Sequence, residues 1–201
     1  MSTSLYSKKT TPSKVEKKIT IELAEELSEQ DLTDLCDAMS STIEDDTGFG
    51  WRQDPEHFVV ERYWKGVLLV PERHLLIARL DGIICGAIQL VEPSRHNEAQ
   101  AFAAQLLASF VAPWARGYGA GHELLKTAEN LAIEKGFTVL NLDVRETQTA
   151  AIHLYEKNGF TRYGTHPHYA MTNGKVIAGH FYTKTIASTY RIDNIETLFF
   201  K

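Results

Sequence analysis

The sequence predicts a mixed α/β (α+β) fold: a mostly antiparallel central sheet, splayed at one parallel pair, with helices on both faces. Three observations predict it. The apolar spacing switches between strand and helix periods in the order β-α-α-β-β-β-α-β-α-β-β. Asp81-Gly82 between two β-rich runs is the signal of a tight antiparallel hairpin. A single strand–helix–strand passage, built around a glycine-rich turn, calls for one parallel pair. With 201 residues, 43% of them hydrophobic and 23% charged, the chain can bury a core without staples.

Residues 1–16 are rich in Ser, Thr and Lys and are expected to form a flexible tail; residues 17–186 carry the domain, and 187–201 an extension. Ile19, Ile21 and Leu23 alternate as in a strand. Ser28 and Asp31 form a capping box that opens a helix with Leu32, Leu35, Cys36 and Met39 on its apolar face. Asp54-Pro55 predicts a second helix with proline at its first position, ended by Pro71. Residues 74–80 and 83–91 form the hairpin. Residues 102–111 are a further strand, apolar enough for cover on both faces. The turn at Arg116–Gly121 leads into a helix carrying Leu124, Leu125, Ala128, Leu131 and Ala132, closed by Gly136. Residues 139–144 are a buried strand. Thr147 or Thr149 is expected to cap a short helix ending at Asn158-Gly159. Residues 160–163 and 179–185 complete the sheet.

The formal net charge is −5, with no basic face beyond the first 18 residues, which argues against a nucleic-acid partner. No apolar run approaches the ~20 residues of a membrane span, and no apolar secretory core stands at the N-terminus. Cys36 and Cys85 form no metal or redox spacing and are read as small buried hydrophobes of a cytoplasmic protein.

The glycine turn points to chemistry. Glycines 117, 119 and 121 let the backbone take positive φ and approach a ligand, and the helix start offers N–H groups to a phosphate. The Gly-Lys-Ser/Thr ending of a P-loop is absent, and His122 stands where a dinucleotide fingerprint needs glycine. A tight connection with no ligand is the structural alternative.

Val111-Ala112-Pro113 followed by Arg116-Gly117-Tyr118-Gly119-Ala120-Gly121 resembles the acetyl-CoA motif of the GNAT family of N-acetyltransferases, Arg/Gln-x-x-Gly-x-Gly/Ala. Ala151-Ile152-His153-Leu154-Tyr155-Glu156-Lys157-Asn158-Gly159-Phe160 resembles the same family's second signature. The resemblance implies an acetyl-CoA-dependent transferase acting on an amine, with the pantetheine arm along Ser109, Phe110 and Val111. The pyrophosphate would then lie on the backbone of Arg116, Gly117, Tyr118, Gly119, Ala120 and Gly121. It implies Tyr155 as general acid and the Val111 N–H as oxyanion donor. A phenol, protonated at neutral pH, suits the protonation of a leaving thiolate.

The chain departs from the family pattern twice. Gln148 replaces an asparagine and can make the same amide bonds. Gln105 stands where many members have a glutamate base, which leaves Glu98, Asp143, Glu146, His122 or a water chain for that role. Asp143 could instead bind a cationic amine. The acceptor pocket is expected from residues 48–52 and 164–169. There Trp51 walls the site or plugs the core, and His166 and Tyr169 face the acceptor. Arg145 grips a carboxylate or pairs with Glu146. The spacing of His166 and His168 supports no metal. A small-molecule acceptor, a protein or peptide acceptor and a non-catalytic acyl-CoA sensor all fit these motifs, and a homodimer is compatible with the resemblance.

Overall fold

The computed structural model describes residues 17–46, 49–51, 53–172 and 174–187, so the expected tail and nearly all of the extension lie outside the described residues. Seven strands form one sheet in the order β1-β2-β3-β4-β5-β7-β6. Along the chain they are β1 (Ile19–Ala24), β2 (Arg73–Leu80), β3 (Ile83–Val91), β4 (Ala103–Val111), β5 (Val139–Arg145), β6 (Thr161–Thr172) and β7 (Lys175–Thr185). The helices are α1 (Glu29–Asp46), α2 (His57–Leu68), α3 (Ala120–Glu134) and α4 (Thr149–Lys157), with short 3₁₀ turns at Glu98–Gln100 and Pro113–Ala115. The predicted element order and sheet type hold, with one parallel pair, β4–β5.

Strand alternation divides the core in two. On β2, Leu75 and Ile77 face α1 and α2, while Leu76, Ala78 and Leu80 face α3. Helix α1 supplies Leu35, Cys36, Met39 and Ile43 to the first layer, and α3 supplies Leu124, Leu125, Ala128 and Ala132 to the second. The local signals behave as their chemistry requires. Ser28 Oγ receives the Asp31 N–H at 3.1 Å and donates to its carboxylate at 2.9 Å. Asp81 and Gly82 both have positive φ, 53° and 91°, as a type I′ turn needs. Both cysteines are buried, and burial pushes the Cys36 thiol up to about 12 and the Cys85 thiol up to about 11.

Four expectations are corrected. Helix α2 starts at His57, because Glu56 stays extended (ψ 141°); proline presets φ but leaves the next residue's ψ open. Neither threonine caps α4. Gln148 holds the cap position without a side-chain bond, and Thr147 offers its carbonyl to the Thr149 N–H. Strands β6 and β7 run far beyond residues 160–163 and 179–185. Pro167 sits within an irregularity of β6 between His166 and Ala170, on an edge strand where no ladder donor is lost. Finally, β4 is not covered on both faces throughout: Leu107, Ala108 and Ser109 are only half-buried.

That last difference has a local cause. Gln89 of β3 pairs with Leu107 and Ala87 with Phe110, so β4 carries one extra residue between them. Ala108 takes φ 48°, unusual for a residue with a side chain. The extra residue reverses the facing of the strand. Ala104 and Leu106 point to the α3 layer, whereas Phe110 points to the α1–α2 layer.

Candidate active site

The two parallel strands part company early. Ala103–Gln105 of β4 pair with Val139–Asn141 of β5, and no register continues beyond them. The gap opens into a cleft of ≈1060 Å³, walled by the second half of β4, the end of β5, the start of α4 and the loop before α2. Ala112 donates its N–H to Cys85 O of β3 at 2.8 Å. Successive strand amides point to opposite edges, so the Val111 N–H points towards the gap. The Val111 carbonyl points the same way and receives Arg116 Nε at 3.3 Å.

The turn that follows β4 sets the start of α3. Gly117 and Gly119 hold φ 84° and 92°, and a Cβ at either would meet nothing within 4 Å. Gly119 occupies the cap position, and Glu123 makes the first helical bond back to Gly119 O at 3.1 Å. The N–H groups of Ala120, Gly121 and His122 therefore lack helical partners and present a partial positive charge. The Arg116 N–H is spent on Pro113 O, and its guanidinium pairs with Asp45 at 2.5 Å. Tyr118 is exposed, with the Lys17 ammonium over its ring at 4.6 Å.

Tyr155 projects from α4 into the cleft and is 6% exposed. Burial pushes its phenol pKa up; the Ser109 hydroxyl draws it down, and the Asp143 charge adds to the rise. Asp143 lies on β5 within the same cleft and accepts the Tyr169 hydroxyl. Burial and this carboxylate raise Tyr169 well above the usual phenol range. The Tyr169 ring lies across Gly179 of β7, where a Cβ would come 2.2 Å from the ring. Only glycine leaves that space.

A family model described as the acetyltransferase (GNAT) family matches residues 36–160. The chain belongs to the GNAT acetyltransferase family. An uncharacterized N-acetyltransferase from the hisH-hisA intergenic region of Azospirillum brasilense is 55% identical over 130 residues, 65% of this chain and 77% of the relative. An IAA acetyltransferase of the same organism is 33% identical over 99 residues, 48% of this chain and 60% of that protein. Among solved structures, an N-acetyltransferase from Staphylococcus aureus Mu50 superposes with TM-score 0.72 at 18% identity, covering 85% of this chain and 99% of that one. A putative acetyltransferase from Salmonella typhimurium, solved with acetyl-CoA, gives 0.68 at 17% identity and covers 85% and 95%. As a GNAT enzyme this protein is an acetyl-CoA-dependent N-acetyltransferase.

The residues present suit the GNAT cosubstrate. The β5-facing edge of β4 is unpaired past Gln105, the helix start is open to an anion, and Gln148 Nε2 is a buried donor on the cleft with no partner among the described residues. Of the four candidate bases, Asp143 alone lines the cleft. Glu98 and His122 are exposed on other surfaces, and Glu146 receives the Ala178 N–H at 2.9 Å. No helix among the described residues is long and apolar enough to cross a membrane. No group of three or more His, Cys, Asp or Glu among them is placed to hold a metal.

Beyond the splay the cleft continues between the loop before α2 and β6. Trp51 is half-buried on the cleft wall, edge-on to Tyr63 at 5.4 Å. Arg145 donates to the Phe49 carbonyl and so ties the loop before α2 to β5. His166 lies exposed, its Nδ1 receiving the His168 N–H at 3.1 Å. Residues 48 and 52 are outside the described residues. Sequence reasoning missed Arg73, Tyr63 and Met171, which all line the cleft. One signal was available: Gln89 is the lone polar side chain in the apolar run of β3, and it is fully buried. Such a group needs partners, and here they are Arg73 Nη1 at 3.0 Å and the Tyr63 hydroxyl at 2.9 Å.

Proposed function

We propose that this enzyme transfers the acetyl group of acetyl-CoA directly to a primary amine of a small molecule, both substrates being bound together. The observation that carries the reading is the convergence of Tyr155, Asp143 and the Val111 N–H on one cleft that continues into an aromatic-walled acceptor half. Acetyl-CoA supplies an activated acyl carbon. The pyrophosphate is assigned to the N–H groups at the start of α3, together with the turn residues Gly117, Tyr118 and Gly119. The arm is assigned to the open edge at Ser109, Phe110 and Val111, and Gln148 supplies a further donor. Arg116 acts through its guanidinium, because its own N–H is already bonded.

Asp143 draws the amine in as a cation; the ammonium gives one proton to solvent water as it binds, and Asp143 takes the second when the free amine attacks. The Val111 N–H faces the carbonyl oxygen as negative charge grows on it. Tyr155 gives its proton to the departing sulfur, and burial keeps the phenol protonated for this step. Asp143 replaces the missing strand glutamate from the opposite strand of the gap. Trp51, Tyr169 and Phe49 shape the acceptor side of the cleft, and their aromatic walls suit a small molecule. Proteins similar in sequence or fold carry names as different as IAA acetyltransferase, putative phosphinothricin N-acetyltransferase and ribosomal-protein-alanine N-acetyltransferase. The acceptor must therefore be read from this chain's own cleft.

The test is calorimetric titration with acetyl-CoA, then thiol release across amines, amino acids, polyamines and peptides. Saturable release with one class of small amine supports the reading. Release with peptides only would replace it by protein acetylation, and binding without any release would favour a sensor.

A further inference from the structure

Arg73 opens β2 and projects into the acceptor half of the cleft. Among the described residues it has no carboxylate partner; its hydrogen bond goes from Nη1 to the neutral Gln89 amide. A guanidinium carries five donors in a planar fork matched to a carboxylate, and a partly desolvated one gains most from an anion.

The group is also held in place. Arginine can only donate, so the Gln89 atom facing it must be the oxygen, and Nε2 is then turned to the Tyr63 hydroxyl at 2.9 Å. Gln89 is fully buried, and the Tyr63 ring is clamped edge-on by Trp51 at 5.4 Å and Trp64 at 4.9 Å. A chain of three polar side chains, from β2, β3 and α2, thus orients one cation on the cleft wall. Asp143 and Tyr169 stand on the β5–β6 wall of the same cleft. The two other arginines on the cleft are engaged: Arg145 donates to Phe49 O, and Arg116 pairs with Asp45.

We propose that Arg73 binds a carboxylate of the acceptor, so that the acceptor is a small amino acid-like molecule carrying a primary amine and a carboxylate. The proposal rests on the transferase reading above. The amine is drawn to Asp143 and Tyr155, the carboxylate to Arg73, and the polarity of the cleft fixes which end meets the thioester. The side chain then faces Trp51, Tyr63 and Met171, which favours apolar, aromatic or thioether amino acids.

The test compares free amino acids of these kinds with their decarboxylated amines and their amides, by thiol release from acetyl-CoA, in the wild type, Arg73→Gln and Arg73→Lys. The wild type is expected to prefer the amino acid at least tenfold in kcat/KM. Arg73→Gln should lose about tenfold to a hundredfold of kcat/KM for amino acids, mostly through KM, as for loss of a charge-assisted bond. Arg73→Lys should lose less, and both variants should keep wild-type affinity for acetyl-CoA. Equal use of amines and amides by the wild type, which needs no variant, would overturn the proposal. So would an amino acid preference that survives in Arg73→Gln. Acetyl-CoA binding with no release from any amino acid overturns the acceptor class alone. Failure to bind acetyl-CoA overturns the transferase reading, and this proposal with it.

Discussion

In its proposed role, Tyr155 must be buried enough to stay protonated and placed well enough to reach a leaving sulfur. Burial meets the first need, with the Ser109 hydroxyl opposing it and Asp143 adding to it. Tyr155→Phe should lower kcat about a hundredfold, the lower end of general-acid effects, with acetyl-CoA affinity within about twofold. Since burial raises this phenol, its ionisation should not limit the wild-type rate until above pH ~10, which a pH–rate profile checks. Gly179 is the second residue with a single solution. A methyl group there would overlap the Tyr169 ring, so Gly179→Ala should expel the ring and break its bond to Asp143. The expected result is a loss of about 1–3 kcal/mol of stability and a raised acceptor KM, with acetyl-CoA affinity unchanged. Urea unfolding and initial-rate kinetics separate the two effects.

In the proposed reading, helix α3 serves as a binding device. Its amphipathic face seats it on the α3 layer of the sheet, and its start is aimed by a turn that needs left-handed backbone at Gly117 and Gly119. Gly119→Val puts a β-branched residue at φ 92°, at a cost of about 1–2 kcal/mol. Its side chain would also stand in the open space to which the phosphates are assigned. Acetyl-CoA affinity should fall at least tenfold by calorimetry; unchanged affinity would place the phosphates elsewhere. Strand β4 shows the opposite case. Its apolar run suggested cover on both faces throughout, and the extra residue near Ala108 came from pairing with β3, which no local pattern announces.

Across the whole molecule, ion pairs link layers that are distant in sequence. Asp31 of α1 meets Arg79 of β2 at 2.6 Å, and Glu92 after β3 meets His74 of β2 at 2.7 Å and Lys135 after α3 at 3.0 Å. The Arg79 bond holds the Asp31 carboxyl below its usual range. Burial alone would raise Glu92, but its bonds to His74 and Lys135 prevail and hold it low. Depressed carboxylates stabilise the fold fully above their unfolded values of about 3.9 and 4.3, and that stability is lost as pH falls through the lower folded values. Urea midpoints should therefore fall on acidification below about pH 4, and less steeply in Asp31→Asn and Glu92→Gln.

The sequence by itself determined the order of elements, the hairpin turn, the glycine turn before α3 and the two signatures around Arg116–Gly121 and Tyr155. These are legible because periodicity, capping and positive φ are properties of neighbouring residues. Tertiary structure alone decided that Asp143 is the one candidate base lining the cleft, that β6 runs on through Pro167, and that Tyr169 lies over Gly179. It alone joined Arg73, Gln89 and Tyr63, which stand on three different elements. Register and side-chain facing depend on partners far away in the chain, and a shift of one residue, as at Ala108, reverses everything after it.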